Sequence, residues 1–185
     1  MKKDRTEVLF WGIGGQGLVL ASIILAEAVG VYEGKNVVQS QAYTAVVRGG
    51  TSKASVVISE KEEILFPQVI SPDILIAFSQ EAYSSNKDVL KPTSIVIYDN
   101  DMVKIEDNVN FKKFGIPFFR TAREELKIPF AGNILALGAL SAITDIVGLS
   151  ALEKALLTKI REEYHDINKK ALEKGFNLGR GLISN

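Results

Sequence analysis

Val8-Leu9-Phe10-Trp11-Gly12-Ile13-Gly14-Gly15-Gln16-Gly17 is the stretch that decides the fold of this chain. Four apolar residues run directly into a glycine-rich turn. An apolar run follows at once from Leu18 to Val29, which reads as a helix. Strand, glycine turn and helix in this order form the opening unit of a Rossmann-like domain. In that pattern Gly12 permits the tight turn, Gly14 lets backbone approach a phosphate, and Gly17 lets helix and strand pack closely. The free N–H groups at the helix start then favour an anion. The same residues also suit a tight turn with a purely structural role.

Outward from this unit, strands and helices alternate. Asn36–Ser40 reads as a second strand. Ser52–Ser59 reads as a third, with Ala54, Val56 and Ile58 alternating against Lys53, Ser55 and Val57. Ile74–Phe78 and Ser94–Tyr98 are continuous apolar runs, typical of strands covered on both faces. A helix is expected at Glu81–Leu90, ended by Pro92, and a short strand within Val109–Ile116. The last third reads as helical: a short helix at Thr121–Leu126, then an apolar one at Asn133–Val147. Ser150-Ala151-Leu152-Glu153 has the form of a capping box that opens a helix running to Tyr164. A last helix at Asp166–Lys174 is expected to close at Gly175. The predicted fold is one α/β domain over residues 1–185, a mainly parallel sheet with helices on both faces and extra C-terminal helices packed on one side.

Composition narrows the chemistry. The 185 residues carry 22 basic and 22 acidic side chains, so no strong field favours nucleic acid or an acidic membrane. The apolar runs 18–31 and 134–149 fall short of a bilayer span and carry Glu27 and Asp145. The sequence has no cysteine, which rules out cysteine ligation of an iron–sulfur cluster by these residues and suits a reducing cytoplasm. The single histidine, His165, argues against an imidazole metal site and reads as a solvated surface residue. Glu60 to Glu63 reads as a solvated turn. No nucleophile–base pair can be named.

Two features bear on ligands. An ordinary NAD site needs a carboxylate at the end of the second strand, and Val37-Val38-Gln39-Ser40-Gln41 supplies none. This argues against a free NAD-dependent dehydrogenase. The second feature is Arg48-Gly49-Gly50, between the second and third strands. Glycines there allow N–H groups and a guanidinium to converge on a phosphate or carboxylate. A lone Arg-Gly-Gly is more often a solvated hairpin turn. Beside Gly14 to Gly17, at the carboxyl ends of strands, it is expected to line a cleft. The small residues of Asn133–Val147, including Gly138 and Ala142, suit a core helix, or a face docked on another subunit or a second copy of this chain.

Taken as a set, these motifs resemble the gamma subunit of 2-oxoacid:ferredoxin oxidoreductases. That family's Gly-x-Gly-Gly-Gln-Gly turn is present as Gly12 to Gly17. Its Arg-Gly-Gly and Ser/Thr-rich strand are present as Arg48 to Val57. Pro67-Gln68-Val69, Pro72-Asp73, the trio Asn133, Leu137 and Gly138, and the trio Asn168, Ala171 and Gly175 match further family segments. Many members carry Tyr-Gly-Pro-Glu before the Arg-Gly-Gly, where this chain has Tyr43-Thr44-Ala45-Val46-Val47. The Tyr-Thr form, with Gln39 and Gln41, is similar to the 2-oxoglutarate type. The indolepyruvate or branched-chain 2-oxoacid enzymes are the alternative within the family, and a stand-alone nucleotide-binding module the alternative outside it. The resemblance implies a supporting subunit, inactive alone. Thiamine diphosphate, magnesium and iron–sulfur clusters would sit on alpha, beta and ferredoxin-like delta partners, with ferredoxin as acceptor. Coenzyme A would be the candidate ligand at Gly12, Gly14, Gly15, Gln16, Gly17, Arg48, Gly49 and Gly50.

Overall fold

The computed structural model describes residues 4–43, 50–106 and 108–184, and of Tyr43 the backbone alone. The opening strand β1 spans Arg5–Ile13 and the next, β2, Asn36–Tyr43. Then come β3 (Thr51–Ser59), β4 (Ile74–Ala77), β5 (Ile95–Asp99) and β6 (Lys112–Ile116). They form one sheet in the order β2-β3-β1-β4-β5-β6. Strands β1, β4, β5 and β6 are mutually parallel, as the apolar runs foretold. β3 is the exception and runs antiparallel to both neighbours. The connection from Tyr43 to Thr51 is too short for a crossover, so β2 and β3 must pair antiparallel.

The described residues also form six α-helices: α1 (Leu18–Glu27), α2 (Gln80–Ser84), α3 (Phe118–Glu124), α4 (Gly132–Thr144), α5 (Leu149–Lys159) and α6 (His165–Ile183). A wide π turn, Ala28–Tyr32, extends α1. The alternation of β1 and β3 sends Val8, Phe10, Ala54, Val56 and Ile58 to a face covered by α1, α4, α5 and α6. Leu9 and Trp11 point the other way, with Leu75 and Ala77, toward α2. The layers are therefore unequal, with the C-terminal helices crowded on one face.

Several expected boundaries move: α5 ends at Lys159 instead of Tyr164, with a separate turn at Glu162–Tyr164, and three other shifts have an identifiable cause. α2 stops at Ser84, because the buried Asn86 amide takes the Ala82 carbonyl at 2.7 Å. α5 begins at Leu149 without a capping box: the Ser150 side chain makes no cap, and the Glu33 carboxylate accepts from the Gly148 N–H at 2.6 Å. α6 does not close at Gly175 but runs on to Ile183. Gly175 is there to admit α4, since a Cβ on it would lie 1.9 Å from the Leu135 carbonyl oxygen. Gly138 of α4 is the reciprocal case, 2.0 Å from the Leu172 carbonyl oxygen. The small-residue face of α4 is thus spent on α6 of the same chain. The core-helix reading holds, and the docked-subunit reading of that face does not.

Candidate functional site

α1 leaves the sheet on one face and α2 on the other, so the chain switches faces between the carboxyl ends of β1 and β4. Open α/β sheets bind their ligands at such a point. The Gln16 side chain is built into this crevice. Its Oε1 accepts from the Ile13 N–H at 2.6 Å, and its Nε2 donates to the Phe78 carbonyl at 3.2 Å. Gln16 therefore staples the glycine turn to the segment after β4. Gly12 sits within β1, opposite Ser52, rather than in the turn. Its missing side chain makes room for Gln16, whose Oε1 would lie 2.3 Å from a Cβ. The Gly14 N–H is also engaged, donating to the Gly50 carbonyl at 2.9 Å. That bond brings the end of the β2–β3 connection beside the glycine turn, where the sequence expects it. Arg48 and Gly49 lie outside the described residues.

Gly15 and Gly17 differ from these. Both are left-handed, with φ of 92° and 74°, where side chains are strained. Gly15 faces open space. Gly17 is the N-cap of α1 and offers no side-chain cap. A Cβ on Gly17 would lie 2.4 Å from the Asn133 Nδ2, and that amide donates to the Gly17 carbonyl at 3.0 Å. Asn133, itself 3% exposed, ties the start of α4 to the start of α1. α4 also begins without a side-chain cap, at Ala131. Two helix N-termini with uncapped first turns thus adjoin each other.

They border a cavity of about 580 Å³. Gly15, Gly17 and Asn133 line one side; Lys159, Arg161 and Tyr164, from the end of α5 and the link to α6, line the other. Phe130 and Asn168 lie on its wall, with Phe130 83% exposed. Lys159 is paired with Glu27. Burial pushes the Glu27 carboxyl up, but hydrogen bonds from Lys159 and Thr158 outweigh it and hold the group below the usual carboxylate range. Among the described residues Arg161 reaches a distant Glu163, at 3.9 Å, and is largely exposed. The cavity joins two helix N-termini, two cations and two aromatic rings. It suits an anion attached to a flat apolar group. His165 is half-buried below it, bonded to the Ile160 carbonyl at 2.8 Å, so it fixes the α5–α6 junction instead of standing in solvent.

Asn133 and Asn168, matched above as family segments without a role, thus meet the glycine turn in one cavity. Lys159, Arg161 and Tyr164 carry no signal in the sequence. Charged residues at a helix end are ordinary, and only the fold brings them opposite Gly17. Among the described residues no group of three or more histidines or carboxylates could hold a metal ion. No helix of the described residues is long and apolar enough to cross a membrane.

A mostly parallel sheet with a glycine turn and a helix N-terminus at its switch point defines a Rossmann-like domain. Residues 7–178 match the model of the family described as pyruvate ferredoxin/flavodoxin oxidoreductase, and the chain belongs to that family. It is 42% identical to the 2-oxoglutarate synthase subunit KorC of Methanocaldococcus jannaschii over 182 residues, 97% of either chain. It resembles the keto/oxoacid ferredoxin oxidoreductase gamma subunit of Geobacter sulfurreducens PCA, with a TM-score of 0.84 and 36% identity, over 95% of this chain and 99% of that one. A 2-oxoglutarate:ferredoxin oxidoreductase of Magnetococcus marinus, with 2-oxoglutarate, coenzyme A and succinyl-CoA bound, also gives a TM-score of 0.84 at 29% identity. That match covers 97% of this chain but 32% of the longer one.

Proposed function

We propose that this chain is the gamma subunit of a cytoplasmic 2-oxoglutarate:ferredoxin oxidoreductase, and that it holds the phosphate-bearing end of coenzyme A in that assembly. The observation that carries the subunit reading is the end-to-end likeness to a 2-oxoglutarate synthase subunit, 97% of both chains at 42% identity. The coenzyme A reading is supported by the cavity at Gly15 and Gly17. Its helix N-termini and Arg161 would receive phosphates, with Arg48 proposed from its sequence motif as a further ligand, and Phe130 and Tyr164 would lie against the flat base. A solved relative of the same fold carries coenzyme A.

We place thiamine diphosphate on partner subunits, while magnesium and iron–sulfur clusters find no donor set among the described residues of this chain. It has no cysteine to bind a cluster, and no carboxylate group of the described residues is assembled for a metal. In the proposed assembly they belong to alpha, beta and delta partners, which pass electrons to ferredoxin. The chain's own share is binding and positioning.

The test uses the complex made by co-expressing the chain with its partner subunits. Ferredoxin reduction should require 2-oxoglutarate and coenzyme A, and the isolated chain should turn over neither. Losing one charged hydrogen bond costs about 1.5–3 kcal/mol, so Arg161→Ala and Arg48→Ala should each raise KM for coenzyme A by roughly tenfold to a hundredfold. The 2-oxoglutarate KM should stay as it was. Unchanged coenzyme A kinetics in both variants would remove the cavity from the reading. Preference for pyruvate or a branched-chain acid would overturn the substrate.

A further inference from the structure

Pro67-Gln68-Val69, which the ligand cavity leaves unexplained, lies in the long connection from β3 to β4. This connection has no regular structure, yet its backbone is pinned. The Arg5 guanidinium donates to the Phe66 carbonyl at 2.8 Å and to the Gln68 carbonyl at 3.2 Å, and Glu7 holds the guanidinium at 2.9 Å. At its far end the Asp73 N–H donates to the Glu7 carbonyl at 2.9 Å, and the Asp73 carboxylate accepts from the Glu7 N–H. Val69 turns inward, against the cluster of Leu9 and Trp11. Leu65 is 85% exposed, Ile70 71% and Phe66 50%. A free loop carrying three large apolar residues would fold them inward. Here the clamp holds them in water, at fixed positions.

The sheet beside them is also open. No helix of the described residues covers the β2–β3 end on this side, and Ser40, Lys53, Ser55 and Gln68 border a groove of about 230 Å³. Under it, the Trp11 indole N–H is buried with no hydrogen-bond partner among the described residues, and the Lys53 ammonium lies over the ring, 3.1 Å from its centre. A buried donor without an acceptor is unusual in a finished interior. Apolar residues held rigid beside an uncovered sheet face are the mark of a docking surface, because little ordering remains to oppose association.

The occupant follows from chain lengths. The Magnetococcus marinus relative matches this whole domain with only 32% of its length. There the same fold is covalently continuous with a much larger polypeptide. A domain that is fused in one relative and separate in another needs a lasting interface with the counterpart of the remaining segment. We propose that the face made by Leu65, Phe66, Ile70 and the adjoining open end of β2 and β3 docks permanently on that counterpart, a separate partner subunit for this chain. The inference rests on the subunit reading above. The ligand cavity is bordered by Leu20 and Ile134 on the sheet face that α1 and α4 cover, whereas Leu9, Trp11 and Val69 lie on the opposite face. The docking face is therefore distinct from the ligand cavity.

The chain has no cysteine, so single cysteines report on one position each. Leu65→Cys, Ile70→Cys and, as a control on the opposite helical layer, Val31→Cys would be made in the full chain and co-expressed with the partner subunits. Maleimide labelling of this chain would be followed by mass, in the complex and in the chain alone. Leu65→Cys and Ile70→Cys should label at least tenfold more slowly in the complex, and Val31→Cys at the same rate in both. Equal labelling of Leu65→Cys and Ile70→Cys in the two states, with the complex intact, overturns the docking face and leaves the subunit reading standing. Failure of any partner to co-purify with the unsubstituted chain overturns the subunit reading itself. A cysteine at these exposed positions costs no core packing, so folding does not obscure the result.

Discussion

Substituting the glycines of α6 one at a time measures how far the fold depends on the close approach of α4 and α6. In a solvent-exposed helix, Gly→Ala stabilises by about 0.8–1 kcal/mol. Gly181 should show that gain, because nothing lies within 4 Å of the position a Cβ would take. At Gly179 the new Cβ would lie 2.9 Å from the Ala139 carbonyl oxygen and 3.0 Å from its Cα. A shift of a few tenths of an ångström relieves this, and the two effects should nearly cancel. At Gly175 the Cβ would lie 1.9 Å from the Leu135 carbonyl oxygen and 2.8 Å from its Cα. The obstacle is backbone, and no rotamer removes it. Restoring ordinary contact requires moving one helix by about 1.5 Å in a core packed like a crystal. Overpacking costs roughly 1–3 kcal/mol, and a clash this close with backbone belongs at about 3, so Gly175→Ala should lose about 2 kcal/mol after the propensity gain. For a domain of this size, that is roughly 4–8 °C in Tm. Urea and thermal unfolding of the purified chain would give the series. If Gly175→Ala and Gly181→Ala move stability in the same direction by similar amounts, the helices do not pack as described.

Two other substitutions test neighbouring claims. Gln16→Ala removes the bonds to the Ile13 N–H and the Phe78 carbonyl, and should cost about 1–2 kcal/mol of unfolding free energy with KM for coenzyme A little changed; a large KM effect without loss of stability would make Gln16 a ligand contact instead of a staple. Glu27→Gln removes the charge that Lys159 and Thr158 hold, and should cost about 1 kcal/mol at pH 7. The folded carboxyl lies below its unfolded value, so its contribution is complete above about pH 5 and is lost as pH falls through the lowered folded value. The difference in urea midpoint between the two proteins should therefore close in acid; a difference that persists unchanged at about pH 3 would show that Glu27 acts through packing alone.

The elements with strong local signals were legible. The apolar runs of β1, β4 and β5 fall where the sequence puts them, and the alternation of β3 names its buried face correctly. What the sequence hides is set by distant partners. Ser150 and Glu153 have the spacing of a capping box, yet Glu33, far away in the chain, supplies the carboxylate that meets the amide of Gly148, the N-cap of α5. Gly175 carries the local mark of a helix end, but its lack of a side chain answers to Leu135 on another helix. Both misreadings have one cause. A residue type that serves a backbone need in isolation was used for a tertiary contact. The candidate site divides in the same way. The glycine turn is visible because its backbone needs are local, whereas Lys159, Arg161 and Tyr164 join it only after α5 and α6 have packed.

That packing gives the glycine contacts a functional meaning. Asn133 stands in the first turn of α4 and bonds the Gly17 carbonyl, so the start of α4 fixes the position of the glycine turn's last residue. Leu135, whose carbonyl faces Gly175, is two residues further along the same helix. Helices transmit displacement almost rigidly over such a distance, and a shift at Leu135 is felt at Asn133 nearly in full. The depth of the α4–α6 contact thus sets the distance between the two helix N-termini that border the cavity. The same contact holds α6, and with it Asn168, on the cavity's opposite wall. Small residues in the interior of α4 and α6 therefore act on the mouth of a cavity they do not touch. The charged walls could change their side chains freely and keep this geometry, but Gly138 and Gly175 could not.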